Sequence, residues 1–258
     1  MSEWSCLRPL RIGCVQYLNA RPLIDAYDGP VVFDHPSALA RQIAAGELDA
    51  GLIPIFEALQ HPHYSLVDDV AIACDGPVYS VYLAHRGPLS GIRRVALDGG
   101  SLTSVHLLKV LLSEYHGLRP DYTRDARGDE DALLWIGNQA IEFREKHGDA
   151  FEFLDLGAEW RRCTGLPFVF AVWMLRPGLE GLRAIGDGFR ALQRQGLARL
   201  EETIAREPLG SSEFRGRYLQ SHIRYQLGAP EKAAVAKFGD LLERHGLIPA
   251  QPGPLVFV

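Results

Sequence analysis

Short apolar runs alternate with amphipathic stretches along the first two thirds of the chain. Arg11–Tyr17 (RIGCVQY), Pro30–His35 (PVVFDH) and Leu48–Ile55 (LDAGLIPI) have strand length and are bounded by turn residues. Between them, Arg21-Pro22 opens a helical stretch, and Ala38–Ala45 runs from Ser37 as N-cap to Gly46 as stop. Phe56–Gln60 predicts a third helix. This β-α-β-α-β rhythm predicts a parallel sheet covered by helices on both faces. Val78–His85 (VYSVYLAH) predicts a long strand, and a second unit begins past Gly87-Pro88. It comprises a strand at Arg94–Leu97, the turn Gly99-Gly100-Ser101 and a helix over Thr103–Tyr115, with Val105, Leu108, Leu111 and Leu112 on one face. Strands follow at Pro120–Thr123, Ala132–Ile136 and Phe151–Leu156, then a long apolar one at Phe168–Leu175. The remainder predicts helices over Leu182–Ala205, Ser212–Gln226 and Pro230–His245.

Two α/β units and a helical tail predict a two-lobed clamp, with the long strands near residues 80 and 170 as crossings. The first lobe is then discontinuous, residues 1–83 plus 173–258, and the second is 84–172. Such a clamp closes on a ligand by hinge motion. The length of 258 residues accommodates two cores of this size. A net charge of -5 with no basic stripe argues against nucleic acid as a partner. No apolar run reaches the length of about 18 residues that a membrane helix needs. Met1–Arg11 contains Glu3 and Arg8 and lacks the apolar segment of a secretory signal. Cys6, Cys14, Cys74 and Cys163 are widely spaced and read as reduced thiols, so a cytoplasmic protein is expected.

Four short segments carry candidate chemistry. Tyr17-Leu18-Asn19-Ala20-Arg21-Pro22-Leu23 follows the first strand, which puts Asn19 at the carboxyl end of a parallel strand, where open α/β sheets bind ligands. Its amide either meets a ligand or caps the following helix. Asp75-Gly76-Pro77-Val78-Tyr79-Ser80 is a turn that delivers Ser80 to the cleft, to solvent or to the backbone. Gly99-Gly100-Ser101-Leu102-Thr103-Ser104 joins a strand to a helix, and hydroxyls with free N–H groups there suit an oxyanion. Ser101 also reads as an ordinary cap. No Gly-Lys follows, so this is not a nucleotide loop. Gly165-Leu166-Pro167-Phe168-Val169-Phe170 is fit to wall a pocket or to fill a core. His61-x-His63 lies in a proline-containing loop with no third ligand nearby. Metal boxes, a nucleophile elbow and a dinucleotide loop are all missing. Hydroxyls, an amide and helix ends bind and orient anions, and no metal or cofactor is expected.

In order and spacing from Arg11 to about Phe238, YLNARPL, CDGPVYS, the Ser-x-Thr-Ser turn and TGLPFVFAVW resemble the chorismate dehydratase family. The resemblance implies an α/β, periplasmic-binding-protein-like fold of type II, with a discontinuous first lobe and C-terminal helices. It implies a lyase of the futalosine route to menaquinone that removes water from the dicarboxylate chorismate, giving 3-[(1-carboxyvinyl)oxy]benzoate. Asn19 and Ser80 fall on catalytic positions. Tyr17, Ser101, Thr103, Ser104, Gly137, Leu166, Pro167 and Phe168 fall on substrate-binding ones. Leu102 stands where the family has arginine, and Asn138 in Ile136-Gly137-Asn138-Gln139-Ala140 where aspartate is common. No Asp, Glu or His lies in the motifs apart from Asp75, so the substrate's enolpyruvyl carboxylate is expected to take the ring proton. A non-catalytic binding module for a small carboxylate, and the related naphthoate synthase, are the competing readings. The oligomeric state is left open.

Overall fold

A computed structural model describes residues 4–125, 127–250 and 253–258. The strands are β1 (Ile12–Cys14), β2 (Val31–Phe33), β3 (Ala50–Pro54), β4 (Ser65–Cys74), β5 (Val81–His85) and β6 (Arg94–Ala96). They continue as β7 (Asp121–Thr123), β8 (Ala132–Ile136), β9 (Glu152–Asp155), β10 (Phe168–Leu175) and β11 (Val256–Phe257). Two sheets form, in the orders β11-β4-β10-β3-β1-β2 and β7-β6-β8-β5-β9. Each is mixed rather than wholly parallel. In the first, β1 runs parallel to β2 and β3, while β10 runs antiparallel to β3 and β4. In the second, β6 is parallel to β7 and β8, while β5 is antiparallel to β8 and β9. One strand returning from the other lobe lies in each sheet against the local direction, which is what a chain that crosses twice produces.

The strands near 80 and 170 do not themselves cross. β5 belongs wholly to the second sheet and β10 wholly to the first, so boundaries after residues 83 and 172 cut through them. The crossings are the connectors, 75–80 outward and the Leu156–Thr164 helix with its exit turn on the return. Val78–Ser80 is a turn because Tyr79 takes a left-handed φ of 68°. The Asp155 carboxylate fastens the two connectors together. It accepts from the N–H groups of Val78 (3.0 Å) and Tyr79 (2.7 Å) and caps the Leu156–Thr164 helix through Ala158 N–H (3.0 Å).

The C-terminal helices divide their contacts. The Leu182–Ala198 helix lies on β4 and on the Arg21–Ile24 helix, where Gly196 permits the approach: a Cβ there would stand 1.8 Å from the Pro22 carbonyl oxygen. The Ala229–Arg244 helix packs on β10 and also reaches the Thr103–Val110 helix of the second lobe. The predicted Leu182–Ala205 helix breaks at Arg199, and the predicted Ser212–Gln226 helix is Ser212–Arg217 followed by a wider π turn over Tyr218–His222. All four cysteines are free. No helix among the described residues is long and apolar enough to cross a membrane.

Candidate active site

A cavity of about 70 Å³ lies at the seam of the two lobes. Tyr17 and Asn19 reach it from the turn after β1, Phe170 and Ala171 from β10, and Ser101–Ser104, Ile136 and Gly137 from the second lobe. No Asp, Glu, His, Lys or Arg side chain is among its described walls. The polar equipment is an amide, hydroxyls and the start of the Thr103–Val110 helix. The first N–H groups of that helix have no partner within it and carry its positive dipole end. Ser101, Thr103 and Ser104 are buried there. Leu102 occupies the N-cap position and Ser101 does not cap by its side chain. An anion held here is held by dipoles, and Leu102 supplies apolar wall in place of a cation.

The seam is closed by hydrogen bonds between the lobes. Leu18 N–H donates to Asn138 Oδ1 (2.9 Å), and Ser37 N–H donates to the Gly100 carbonyl (3.1 Å). Thr103 Oγ1 accepts from Phe56 N–H (3.2 Å) and donates to the Phe170 carbonyl (3.1 Å). The departure at Asn138 therefore keeps an acceptor that an aspartate offers too. Thr103 has both its donor and an acceptor site engaged by protein, so its hydroxyl serves the seam. The glycine turn is held from below by Asp98, whose Oδ1 accepts from Gly100 N–H (2.9 Å) and whose carboxyl burial pushes above the usual range. Burial, with the Asp98 charge second, raises the Tyr17 phenol, so it stays neutral.

Asn19 sits in the 3₁₀ turn Leu18–Ala20, 8% exposed, with its Oδ1 unpartnered by protein. Ser80 is fully buried and is not among the walls. Its hydroxyl accepts from Tyr218 Oη (2.7 Å) and its carbonyl from Gly137 N–H (2.9 Å). Leu166, Pro167 and Phe168 are also absent from the walls. The Pro167 carbonyl accepts from Trp160 Nε1 (2.9 Å), and Phe168 packs edge-on against Trp160 and Phe238 in the core. The strand is long enough that Phe170 and Ala171, further along, are the residues that arrive at the cavity. Asp75 is ion-paired with Arg161 (3.1 Å) and Arg224 (2.7 Å), outside the walls. His61 and His63 stand beside each other, ring centroids 5.9 Å apart, and no group of three or more metal-ligating side chains occurs among the described residues. Of the Gly165–Phe170 segment that the sequence marks as fit to wall a pocket, Phe170 is the residue that does so, and sequence reasoning did not find Ala171, the bond made by Asn138, or Tyr218.

The model of a family described as menaquinone biosynthesis matches residues 10–244. A chorismate dehydratase of Thermus thermophilus is 33% identical over 262 aligned positions, covering 92% of this chain and 96% of that protein. A 1,4-dihydroxy-6-naphthoate synthase of the same organism is 28% identical and covers 80% of this chain and 82% of its own. Among solved structures, a Candida albicans protein described as having the generic periplasmic binding protein fold superimposes with a TM-score of 0.61. Its identity is 13%, with 94% of this chain and 91% of that one covered. The two-lobed fold is thus that of the periplasmic binding proteins, and the chain belongs to the menaquinone-biosynthesis family of chorismate dehydratases.

Proposed function

We propose that the protein dehydrates chorismate to 3-[(1-carboxyvinyl)oxy]benzoate, the first step of futalosine-dependent menaquinone formation, acting as a hydro-lyase in the cytoplasm. The observation that carries this reading is a seam cavity with an amide, hydroxyls and a helix start, and no carboxylate, imidazole or amine in its described walls. The reaction asks for that kit. The ring C–H beside the ether breaks, its electron pair enters the ring, and the neighbouring C–O bond breaks to release hydroxide, which becomes water with the abstracted proton. The product is aromatic, so the step is downhill and redox-neutral. With no base in the walls, the enolpyruvyl carboxylate of the substrate is the acceptor at hand. The enzyme's contribution is then orientation and dipolar stabilisation. The ring carboxylate belongs at the Ser101–Ser104 turn.

Incubating the purified protein with chorismate and following the product by mass tests this. Loss of one water is expected, and unchanged chorismate in the presence of tight binding would mark a non-catalytic module. The rate at saturation is expected to stay level from about pH 6 to about pH 9, because no wall side chain titrates there: Tyr17 is shifted upward, away from neutrality. A bell-shaped profile with a limb near neutrality would instead reveal a protein base.

Thr103→Val tests how much the seam contributes. Valine leaves the Phe56 N–H and the Phe170 carbonyl without their buried partner, which costs about 1–3 kcal/mol, and the loss falls on the closed form. Chorismate affinity by calorimetry is expected to fall roughly tenfold. Unchanged affinity would show that this pair does not hold closure.

A further inference from the structure

The Ser101–Ser104 turn has a second support, and part of it comes from the other lobe. Leu102 is the N-cap residue of the Thr103–Val110 helix and a wall of the cavity. Its carbonyl accepts the first backbone bond of that helix, from His106 N–H, at a long 3.3 Å. The His106 ring makes the shorter contact: Nδ1 lies 2.9 Å from the same carbonyl. A carbonyl oxygen only accepts, so Nδ1 carries the proton and, in the neutral ring, Nε2 is bare. Burial holds the imidazole pKa down to about 4, which keeps the ring neutral at neutral pH. The ring is braced from the first lobe. It stacks face to face on Phe56 of the Ile55–Gln60 helix, with centroids 3.6 Å apart and planes 9° from parallel. Phe56 N–H, one of the free N–H groups at that helix start, donates to Thr103 Oγ1 (3.2 Å). Phe56 thus meets the start of the Thr103–Val110 helix twice, by ring and by backbone.

We infer that His106 is a positioning residue for substrate binding: braced on Phe56 across the seam, its Nδ1–H holds the Leu102 carbonyl and so aims the Thr103 N–H of the same peptide at a substrate carboxylate. The carboxylate named here rests on the dehydratase reading, whereas the brace does not. In a trans peptide the C=O and the following N–H lie in one plane and point in opposite directions. Pinning the carbonyl along the helix therefore turns the Thr103 N–H back out of the helix start, where no helical carbonyl reaches it. Rocking of that peptide would swing the donor away. Because Phe56 belongs to the other lobe, the brace is complete only when the lobes meet, so closure sets the turn as well as enclosing the ligand. The ring carboxylate keeps its charge through the dehydration. A donor aimed at it holds substrate and transition state alike, so its loss enters affinity rather than rate.

His106→Phe keeps a ring on Phe56 and removes the donor. Chorismate affinity by calorimetry is expected to fall roughly tenfold, with turnover at saturation within about threefold. His106→Asn gives up the stack but returns an N–H near the place of Nδ1. It is expected to bind chorismate at least about threefold more tightly than His106→Phe. In the unaltered protein the nitrogen-15 resonances of the His106 ring, assigned through their proximity to the Phe56 ring, are expected to show a protonated Nδ1 and a bare Nε2 at neutral pH. Unchanged affinity in His106→Phe, an asparagine variant that binds no better than the phenylalanine one, or the opposite tautomer would each overturn the inference. A fall in turnover with affinity intact overturns it too, by moving His106 into the chemistry. Should the variants fail to fold, the tautomer of the unaltered protein decides. Should chorismate bind without losing water, the dehydratase reading fails and the affinities still decide the positioning. Should it not bind at all, that reading fails and the tautomer decides.

Discussion

Asn19→Ala is expected to bind chorismate within about tenfold of the unaltered protein and to turn it over at least about a hundredfold more slowly. The affinity stays because the rest of the cavity is untouched: the Ser101–Ser104 turn, the start of the Thr103–Val110 helix and the apolar walls do not depend on Asn19. The rate falls because the amide is a polar side chain, with the neutral Tyr17 phenol its neighbour, that the first lobe's β1 turn brings into the cavity while the helix start comes from the second lobe. Charge moves in this reaction, from the carboxylate that takes a proton to the oxygen that leaves as hydroxide. A fixed dipole beside that movement gains strength toward the transition state, and such gains enter the rate rather than the affinity. Losing one oriented donor of this kind costs about 10²–10³ in rate. Calorimetry gives the affinity, single-turnover kinetics give the chemistry, and circular dichroism checks the fold. An Asn19→Ala protein that binds far more weakly and yet turns over at the wild-type rate when saturated reduces Asn19 to a binding residue.

The placement of Asn19 and of the Ser101–Ser104 turn was legible because both depend on local rules. A strand end followed by a proline-opened helix, and a glycine turn leading into a helix, announce themselves within a few residues. β8 and β10 were legible end to end for a similar reason: they are near-continuous apolar runs. β4 was not. Its centre carries Asp68 and Asp69, which break the apolar run, and no strand is predicted there from the sequence. In the structure Asp69 takes a left-handed φ of 64°, the register with β10 slips there, and Asp68 pairs with Lys232 at 2.6 Å. A bulge let a charged pair interrupt a strand without ending it. The Gly137–His147 helix was hidden differently, since only Gly137, Ala140 and Ile141 of its residues are buried, too few to show a period. Contacts such as Leu18 with Asn138 and Ser80 with Tyr218 span 120 and 138 residues, and no spacing within one chain reports them. The crossings were drawn through strands rather than connectors because an apolar run shows that a segment is buried, not which sheet it joins.

Gly137→Ala is expected to weaken chorismate binding by roughly 30-fold to 1,000-fold while leaving the rate at saturation nearly unchanged, the reverse of Asn19→Ala. Gly137 opens the helix that follows β8 with a φ of 63°, a conformation that costs a residue with a Cβ about 1–3 kcal/mol. Its added carbon would stand 2.7 Å from Cδ1 and Cε1 of the Tyr17 ring, closer than such atoms approach, so ring and helix start must separate. The neighbouring seam bond from Leu18 N–H to Asn138 Oδ1 then stretches, at a further cost of about 1 kcal/mol. The φ cost is borne open or closed and lowers overall stability, whereas the overlap, about 1–3 kcal/mol, and the stretched bond fall on the closed form, because an open clamp takes the Tyr17 ring away from Gly137. A ligand must then drive closure against about 2–4 kcal/mol more, which lowers affinity. Once closed, the amide and the helix start stand as before, so turnover at saturation persists. Calorimetry and saturation kinetics separate the two effects. A Tyr17→Ala change in the Gly137→Ala background removes the ring from the collision, so the two losses are expected to be less than additive. A Gly137→Ala protein with wild-type affinity would show that Tyr17 and Gly137 need not meet when the ligand is bound.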